Sequence, residues 1–329
     1  MDLLTRFENV LLREHALESG KKIAVACSGG PDSTALFYCL TELKQKYSLK
    51  LFLLHFNHRL RGVASDRDEQ FVRELARRFK VKIFVGKGSV KKWAKRDAES
   101  LEEAARKARY HFFVKTATPR KILRIALGHT RDDQAETILM RILQGTGIRG
   151  LSGIRPAIQS GKTTLFRPFL GFSKQEILDY LRLNKIRYCL DASNRSTRFL
   201  RNRVRRKLLP QLVREFNPRL VEALARIPSI LRQENEILSE LEEAAWKRVL
   251  KAKRRKKIYL HRDRFLKFPA ALQFRLLDRA AKRLDVRSGI RFDLWQELRQ
   301  HLARKRFRFS LPRDIDFSLS PVRLVLYKK

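Results

Sequence analysis

The chain has 329 residues, 43% of them hydrophobic, and carries 74 lysine and arginine residues against 34 acidic ones. This length allows two or three domains, and the hydrophobic content is that of a globular chain, which excludes a wholly disordered one. The net charge of +40 favours a polyanionic partner, nucleic acid foremost, since no single amphipathic basic helix points to a membrane surface.

The composition also argues against secretion and membrane insertion. No run of 18 apolar residues occurs, and Met1–Ala16 contains acidic residues in place of a basic and then apolar leader. The three cysteines, Cys27, Cys39 and Cys189, form neither a disulfide framework nor a Cys-x-x-Cys pair. We therefore expect a cytoplasmic protein without a membrane partner.

The first half of the chain alternates apolar runs with helical patterns. The predicted strands are Ile23–Cys27, Leu51–Phe56, Val81–Val85 and Ile122–Leu127. One helix is predicted within Met1–Glu18, and a second runs from the loop after the first strand to about Lys46. Two more are predicted to follow N-caps at Ser65 and Ser100. Such alternation predicts a doubly wound parallel α/β sheet. In these sheets ligands bind beyond the carboxyl ends of the strands, where the polar residues of this half also fall.

The loop Cys27-Ser28-Gly29-Gly30-Pro31-Asp32-Ser33 joins the first strand to the next helix. Unpaired N–H groups at a helix start carry partial positive charge, and glycines let a phosphate approach closely. The loop therefore suits a phosphate group, although a plain turn with Asp32 or Ser33 as the N-cap is the simpler alternative. Neither a Walker loop nor a Gly-x-Gly-x-x-Gly fingerprint is present here.

A second polar stretch, Gly128–Glu136, follows the fourth strand. Thr130 and Asp133 match a capping box, so a helix is expected to begin there. Asp132, Asp133 and Glu136 place like charges three and four residues apart, where they repel. The cluster favours a bound cation, and Mg²⁺ is suitable because it takes few carboxylates and keeps phosphate oxygens as ligands. Acids that merely suit the helix dipole are the alternative.

Further along, the glycine-rich loop Gly145–Gly153 turns the chain, Ser173 and Glu176 match a second capping box, and Ile186–Leu190 is a candidate edge strand. The basic run that ends at Pro210 normally indicates a solvated helix face. Arg201 and Arg205 share one face, however, and that face is equally suited to clamping phosphates of ATP or RNA.

The last third is helical and then strand-like, and it is strongly basic. The predicted elements are a helix at Asn217–Lys253 kinked by Pro228, helices at Pro269–Leu284 and Phe292–Lys305, and strands at Phe307–Leu311, Phe317–Leu319 and Arg323–Tyr327. The apolar seam of the long helix suits packing on its own chain or a homodimer. Phe307 and Phe309 alternate with arginines, which suits either RNA stacking or an apolar sheet face.

We therefore expect three parts. These are an α/β domain at 1–213 that carries the phosphate-type loop, a helical connector at 214–253, and a basic RNA-binding domain at 254–329. Basic residues outnumber acidic ones about threefold in the last part, which is typical of an RNA-binding surface.

Several stretches occur in the order found in one family. They are Ser28–Ser33, His55–Arg61, Leu101–Tyr110, His129–Gly150, Arg167-Pro168 and Asp191–Pro210. Over about its first 210 residues the chain resembles the tRNA(Ile)-lysidine synthetases of the PP-loop, or N-type ATP pyrophosphatase, superfamily. It departs from their usual pattern at Pro31, where valine is common, and at Thr130-Arg131, where an apolar pair is more usual.

The resemblance implies a five-stranded PP-loop fold of the adenine-nucleotide α-hydrolase type with one small C-terminal domain. It also implies a ligase reaction with ATP, Mg²⁺, free lysine and the isoleucine tRNA that has a CAU anticodon. ATP adenylates the C2 oxygen of the wobble cytidine at position 34 and releases pyrophosphate. The lysine ε-amine then displaces AMP and forms lysidine.

The resemblance further implies roles for single residues. Cys27, Ser28, Gly29, Gly30, Pro31, Asp32 and Ser33 would hold the triphosphate, and His55, Phe56 and Asn57 would lie near the adenine. Asp132, Asp133 and Glu136 would position Mg²⁺ or the lysine ammonium, with Asp32 and Asp132 as the metal ligands. Arg109, Arg201 and Arg205 would offset the charge of the leaving pyrophosphate, and a carboxylate or His129 would act as the base.

Three alternatives lie in other classes. A tRNA thiolase of the same superfamily commonly needs a Cys-x-x-Cys pair, and this chain has none. A small-molecule ligase, such as an NAD or GMP synthetase, has no need of a charge of +40. An RNA-binding protein with an inactive nucleotide fold is disfavoured because Asp32, Asp132, Asp133 and Glu136 are all intact.

Overall fold

A computed structural model describes residues 2–18, 20–59, 62–90, 93, 100–190, 200–284, 290–311 and 315–328. The chain forms two compact units, Met1–Leu231 and Arg232–Lys329. In the described ranges, no helix combines the length and apolar character needed to cross a membrane.

A six-stranded sheet, ordered β3-β2-β1-β4-β6-β5, forms the centre of the N-terminal unit. The strands are β1 (Lys22–Ala26), β2 (Lys50–Asn57), β3 (Lys82–Lys87), β4 (Arg124–Leu127), β5 (Ala157–Ser160) and β6 (Thr163–Phe166). Five strands run parallel, which confirms the predicted class. The sixth, β5, pairs antiparallel with β6 and was not predicted, because these two four-residue strands are too short to show a clear period.

Helices cover both faces of this sheet. They are α1 (Leu3–Arg13), α2 (Pro31–Leu43), α3 (Val63–Arg78), α4 (Leu101–Ala117), α5 (Arg131–Leu143), α6 (Ile148–Leu151), α7 (Lys174–Leu183), α8 (Leu200–Arg203) and α9 (Leu209–Glu215). On one face, Ile23 and Val25 of β1 pack in a core with α1, α2, α3 and α7, while Ala24 faces a second core that includes α4. Adjacent residues of a strand point to opposite faces, so one strand contributes to both cores.

Three predicted helix starts are confirmed by their hydrogen bonds. The Ser100 side chain accepts from the Glu103 backbone N–H at 3.2 Å. Thr130 with Asp133, and Ser173 with Glu176, form reciprocal capping boxes. Each cap satisfies backbone donors that the first turn of a helix leaves unpaired, which places the starts of α4, α5 and α7.

Three local predictions were wrong. The helix expected to follow Ser65 begins earlier, at Val63, because Gly62 adopts a positive φ of 52° and turns the chain into it. Neither Asp32 nor Ser33 caps α2, since its N-cap is Gly30. Ile186–Leu190 forms no strand, because the Cys189 backbone N–H donates to the Gly29 carbonyl at 2.8 Å.

The C-terminal unit has a five-stranded antiparallel sheet ordered β7-β8-β11-β10-β9. Its strands are β7 (Leu250–Arg254), β8 (Lys257–His261), β9 (Phe307–Leu311), β10 (Ile315–Leu319) and β11 (Arg323–Lys328). The remaining helices are α10 (Leu220–Val249), which includes Pro228 and the boundary between the units, α11 (Arg262–Leu266), α12 (Ala270–Arg283) and α13 (Phe292–Gln300). The helix predicted to reach Lys305 therefore ends five residues earlier.

The alternating Arg-Phe run lies on the edge strand β9. Phe307 and Phe309 stack on each other at 6.1 Å and pack against the C-terminal core, whereas Arg306 and Arg308 are exposed. The phenylalanines thus form the apolar face of a small sheet, which is the simpler of the two sequence interpretations. The arginines remain accessible for contact with an anion.

Candidate active site

The loop after β1 is held by its own serine hydroxyls. Ser33 Oγ accepts from the Ser28 backbone N–H at 3.1 Å, and it lies 3.1 Å from both Ser28 Oγ and the Gly30 carbonyl oxygen. Gly29 has a φ of +91°, and a Cβ atom there would lie 3.3 Å from Cys189 Sγ. The loop is therefore ordered before any ligand binds, and glycine is required at its tightest point.

The first turn of α2 presents backbone N–H groups beside this loop. Gly30 is the N-cap and offers no side chain to them, so no side-chain cap is found in the described structure. Cys27 precedes the loop, with its Sγ atom buried 3.9 Å from Ser33 Oγ. An uncapped helix start next to two glycines has the donors and the partial positive charge of an anion site.

Asp32 stands in the first turn of α2 with an unsatisfied carboxylate. Its Oδ1 atom is buried and has no hydrogen-bond partner among the residues that the structure describes. Burial raises the pKa of Asp32 to about 6; the positive charge of Lys174 opposes this and the negative charge of Asp133 adds to it. An oxygen in this state has room for a further hydrogen-bond donor or a cation.

The end of β4 packs closely against the same turn. A Cβ atom on Gly128 would lie 3.1 Å from the backbone carbon of Asp32 and from the backbone nitrogen of Ser33. The next residue, His129, has a buried Nδ1 atom without a hydrogen-bond partner in the described chain. Burial lowers the pKa of His129, so its imidazole is neutral near pH 7 and can accept a hydrogen bond.

Two of the predicted acids form a network with two arginines. The Nη2 atoms of Arg201 and Arg205 contact Asp133 Oδ1 at 2.8 and 3.0 Å, and both arginines also contact Glu136. The Glu136 side chain is only 2% exposed. Although burial favours the neutral acid, Arg201 and its neighbours hold the pKa of Asp133 below its usual range.

Arg201 lies on α8, and Arg205 lies in the π-helical turn that follows it. Val204–Leu208 forms this turn between α8 and α9, and Arg205 lies within it. Turns of this kind often occur at functional sites because they shift the face that a side chain presents. The charge repulsion seen in the sequence is thus offset by guanidinium groups of the same chain.

Asp132 is turned away from this network. Its Oδ2 atom accepts from the Lys174 backbone N–H at 2.7 Å, so it caps the start of α7. Within the described ranges, no group of three or more His, Cys, Asp or Glu side chains is arranged to hold a metal ion. The carboxylate that fits a cation best is Asp32, since its Oδ1 atom lacks a partner within the described chain.

The predicted adenine-side residues lie at the end of β2. His55 is 4% exposed, and its Nδ1 atom is 2.9 Å from the Cys27 carbonyl oxygen. The Asn57 amide donates to Glu69 and Asp66 at 3.1 and 3.0 Å. Both side chains therefore brace the loop and strand from within.

Phe56 stands between these two residues. Its ring lies 4.9 Å from the ring of His58 and 5.5 Å from that of Phe112. Leu60 and Arg61, which complete the sequence motif, lie outside the described residues, as does the stretch Asp191–Thr197.

Arg109 approaches the site from α4, and Arg167 from the residue after β6. Both charges act with burial to lower the pKa of His129. Arg109 lies over the Tyr110 ring at 6.0 Å, and Arg167 donates to the Tyr110 hydroxyl at 3.2 Å.

The residue pattern did not single out Gly128, Arg167 or Lys174 as site residues. Arg167 had appeared only within an Arg-Pro pair, and Lys174 only as a position after a capping serine. Their common signal is position, because each directly follows a strand or begins a helix at the carboxyl edge of the sheet.

The comparisons with known proteins agree with this geometry. A PP-loop domain model matches residues 3–212, and the chain therefore belongs to the PP-loop family. It is similar to the tRNA(Ile)-lysidine synthase of Symbiobacterium thermophilum, with 38% identity over 292 residues, which are 86% of this chain and 60% of that protein. It is also similar to the one of Geobacter sulfurreducens, with 42% identity over 237 residues, 71% of this chain and 49% of that protein.

The chain thus spans between about half and 60% of the length of these curated relatives. Among solved structures, a U34-tRNA thiolase from Methanococcus maripaludis has a TM-score of 0.59 at 17% identity, covering 70% of this chain and 78% of that one. At this identity the likeness shows the fold alone.

Proposed function

We propose that this protein is an ATP-dependent ligase that attaches L-lysine to C2 of the wobble cytidine, position 34, of tRNA(Ile) with a CAU anticodon. The observation that carries the proposal is the convergence at one sheet edge of an uncapped PP-loop, the Asp32 Oδ1 atom without a partner in the described chain, and the arginine-bound pair Asp133 and Glu136. The PP-loop match supports the use of ATP, and the similar relatives are named for this product.

ATP would bind with its triphosphate on the loop. The N–H groups at the start of α2 face that position, and Lys174 adds positive charge close to Asp32. Asp32 is the residue that we assign to Mg²⁺, which would neutralise phosphate charge when bound. The adenine would lie at the end of β2, beside Phe56 and the backbone that His55 and Asn57 brace.

In the first step, the cytosine C2 oxygen attacks the α-phosphorus. An oxygen–phosphorus bond forms, the bond to the bridging α–β oxygen breaks, and pyrophosphate leaves. Arg109, Arg201 and Arg205 would stabilise the charge that develops on the leaving group. A fixed guanidinium pair costs little reorganisation at this moment, because Asp133 and Glu136 already hold it in place.

In the second step, the lysine ε-amine attacks C2, the C2–O bond breaks and AMP leaves. The amine must first lose a proton, and a base works best when its pKa lies near the working pH. The pKa of about 6 is that of Asp32 without a cation, and a bound Mg²⁺ would lower it, so Asp32 is assigned to the cation alone. We assign acceptance of a hydrogen bond from the amine to the Nδ1 atom of His129, whose imidazole is neutral near pH 7.

The tRNA would contact both units through basic side chains. We assign binding to residues 254–329, where Lys256, Lys257 and the outward side of β9 expose basic side chains, with 1–213 as the catalytic domain and 214–253 as the connector, which by this division includes most of β7. Such a reaction on tRNA belongs to the cytoplasm. Ile237 and Leu241 on α10 are 62% and 50% exposed, so a homodimer remains part of the prediction, and light scattering would test it.

The thiolase alternative gains nothing from the structure. Burial raises the pKa of Cys27 to about 11 and that of Cys39 to about 12, so neither thiol is readily ionised. Cys189 is the partly exposed cysteine, and its backbone already braces Gly29.

The decisive experiment supplies the protein with ATP, radiolabelled lysine and one of two transcripts, tRNA(Ile) or tRNA(Met), both with CAU anticodons. Label should enter the isoleucine transcript only, with AMP and pyrophosphate released in equal amounts. Lysine-independent sulfur incorporation would favour the thiolase, and the absence of any lysine-dependent label would contradict the proposal.

A further inference from the structure

A pocket of about 430 Å³ lies between α4 and the β5–β6 hairpin, beside the candidate active site. Its volume is within the range of sites that bind small molecules and single nucleotides. The residues of its lining that matter here are Arg106, Tyr110, His111, Lys115, Ile158 and Arg167. None of the roles assigned above uses this pocket.

The lining has one sign of charge. Arg106, Lys115 and Arg167 are cationic, His111 can become so, and no acidic residue is among the described lining residues. Arg106 and Lys115 are exposed on the same helix, and Arg106 donates to Glu103 at 3.0 and 3.1 Å, so Lys115 is the better partner for an anion. A ligand that suits this lining carries negative charge, and guanidinium and ammonium groups are the usual partners of phosphate.

Arg167 is the buried polar group of the pocket, at only 5% exposure. Its Nη1 atom donates to the Arg155 carbonyl oxygen at 2.7 Å and its Nη2 atom to the Tyr110 hydroxyl at 3.2 Å. The Nε atom is also buried and finds no partner in the part of the chain that the structure describes. A buried cationic donor without an acceptor is uncommon, and a ligand with a carbonyl or ring-nitrogen acceptor would explain it.

The remaining lining is apolar and partly aromatic. The Tyr110 side chain is half-buried, and Ile158 on the edge strand is 38% exposed. A planar base gains by covering such surfaces. The pocket thus combines a cationic mouth, an apolar wall and a directed donor, which together match a phosphate attached to a base.

We propose that this pocket holds one nucleotide of the RNA substrate, a neighbour of the nucleotide that reacts. Its phosphate would lie on Lys115, and its base would lie against Tyr110 and Ile158 within reach of Arg167 Nε. Arg167 links the pocket to the site electrostatically, because its charge also acts on His129. The inference rests on the proposed function, since that function brings an anticodon loop to this edge of the sheet.

The test compares tRNA binding by a pocket variant and by the unmodified chain, each with RNA that lacks one base at a time. The variant Ile158→Asp places a negative charge in the pocket, and Leu123→Asp, at an apolar position that is 54% exposed outside the lining, is its control. Binding is measured with tRNA(Ile) carrying one abasic nucleotide at each anticodon-loop position in turn. At one position the abasic change should weaken binding to the unmodified chain by between about 5-fold and 100-fold.

In Ile158→Asp, that same abasic change should weaken tRNA binding by less than about twofold, because the contact between pocket and base is already lost. In Leu123→Asp, it should weaken binding as much as it does in the unmodified chain. Lys115→Glu should weaken tRNA binding and reduce the slope of log K against log salt by about 0.7, whereas Lys121→Glu, an exposed change outside the lining, should weaken it less.

Two results would overturn the inference and leave the proposed function standing. In the first, the unmodified chain transfers lysine, but no anticodon-loop position couples to Ile158. In the second, Ile158→Asp weakens Mg·ATP binding as much as tRNA binding, which would make the pocket part of the ATP site. If the unmodified chain transfers no lysine at all, the proposed function fails and the inference fails with it.

Discussion

Replacing Asp32 by asparagine should make the ligand-free protein more stable near neutral pH. The carboxylate is buried without a partner for Oδ1 among the described residues, and burial raises its pKa to about 6 from an ordinary value of 3.8. The unfolded chain therefore releases this proton at a lower pH than the folded chain does. Stability from Asp32 is present below about pH 4 and is lost as the pH rises through 6.

The size of this effect follows from the two pKa values. They differ by about 2, which corresponds to about 3 kcal/mol between the acidic and neutral limits. About 2 kcal/mol of that falls between pH 4.5 and pH 7.5. The amide introduced by Asp32→Asn does not titrate, so the stability advantage of this variant over the unmodified protein should grow by about 2 kcal/mol across this interval.

The assay is urea unfolding of both proteins at the two pH values, without nucleotide. Asp179→Asn, a change at a partly exposed position of α7, serves as the control and should show no comparable growth. Adding Mg·ATP should then stabilise the unmodified protein more than Asp32→Asn, because only the aspartate gains a cation. A stability difference that is independent of pH, or equal stabilisation by Mg·ATP, would refute the assigned state of Asp32.

Three further predictions concern the rest of the site and the RNA. Arg205→Gln should lower the free energy of unfolding by about 3 kcal/mol, because the buried Glu136 loses one of its partners. Arg203→Gln, at an exposed position, should change it by under about 0.5 kcal/mol. Similar losses for the two variants in urea unfolding would contradict the network. Gly128→Ala should displace the first turn of α2, lower the free energy of unfolding by about 1–2 kcal/mol and raise the KM for ATP. Gly171→Ala, whose new Cβ would lie within 4 Å of no atom beyond its own turn of chain in the described structure, should be nearly neutral in stability and in KM. Equal effects of the two changes would argue against the close approach of Gly128 to α2. Binding of tRNA(Ile) should weaken with salt with a log–log slope of about −2 or steeper, as for three or more phosphate contacts, and a salt-independent affinity would mean that the basic surface does not bind the RNA.

Features set by short-range chemistry could be predicted from the sequence. The capping boxes at Thr130 and Ser173 involve residues three apart, so their hydrogen bonds depend on little beyond the local chain. The glycine loop between β1 and α2 and the parallel α/β class follow from patterns of the same kind, whereas the order of the strands was not predicted. These elements place the polar stretches at one edge of the sheet, and the roles of their residues stay predictions.

Only the tertiary structure decided how the charges within that region are paired. Asp132, Asp133 and Glu136 look equivalent in sequence, yet Asp132 caps α7 through Lys174, 42 residues away, while the other two bind Arg201 and Arg205, 65 to 72 residues away. Such partners are chosen by the packing of distant elements, on which local spacing carries no information. The same reason explains why Asp32, which has the sequence position of an ordinary helix-start acid, has a buried Oδ1 atom without a partner among the described residues.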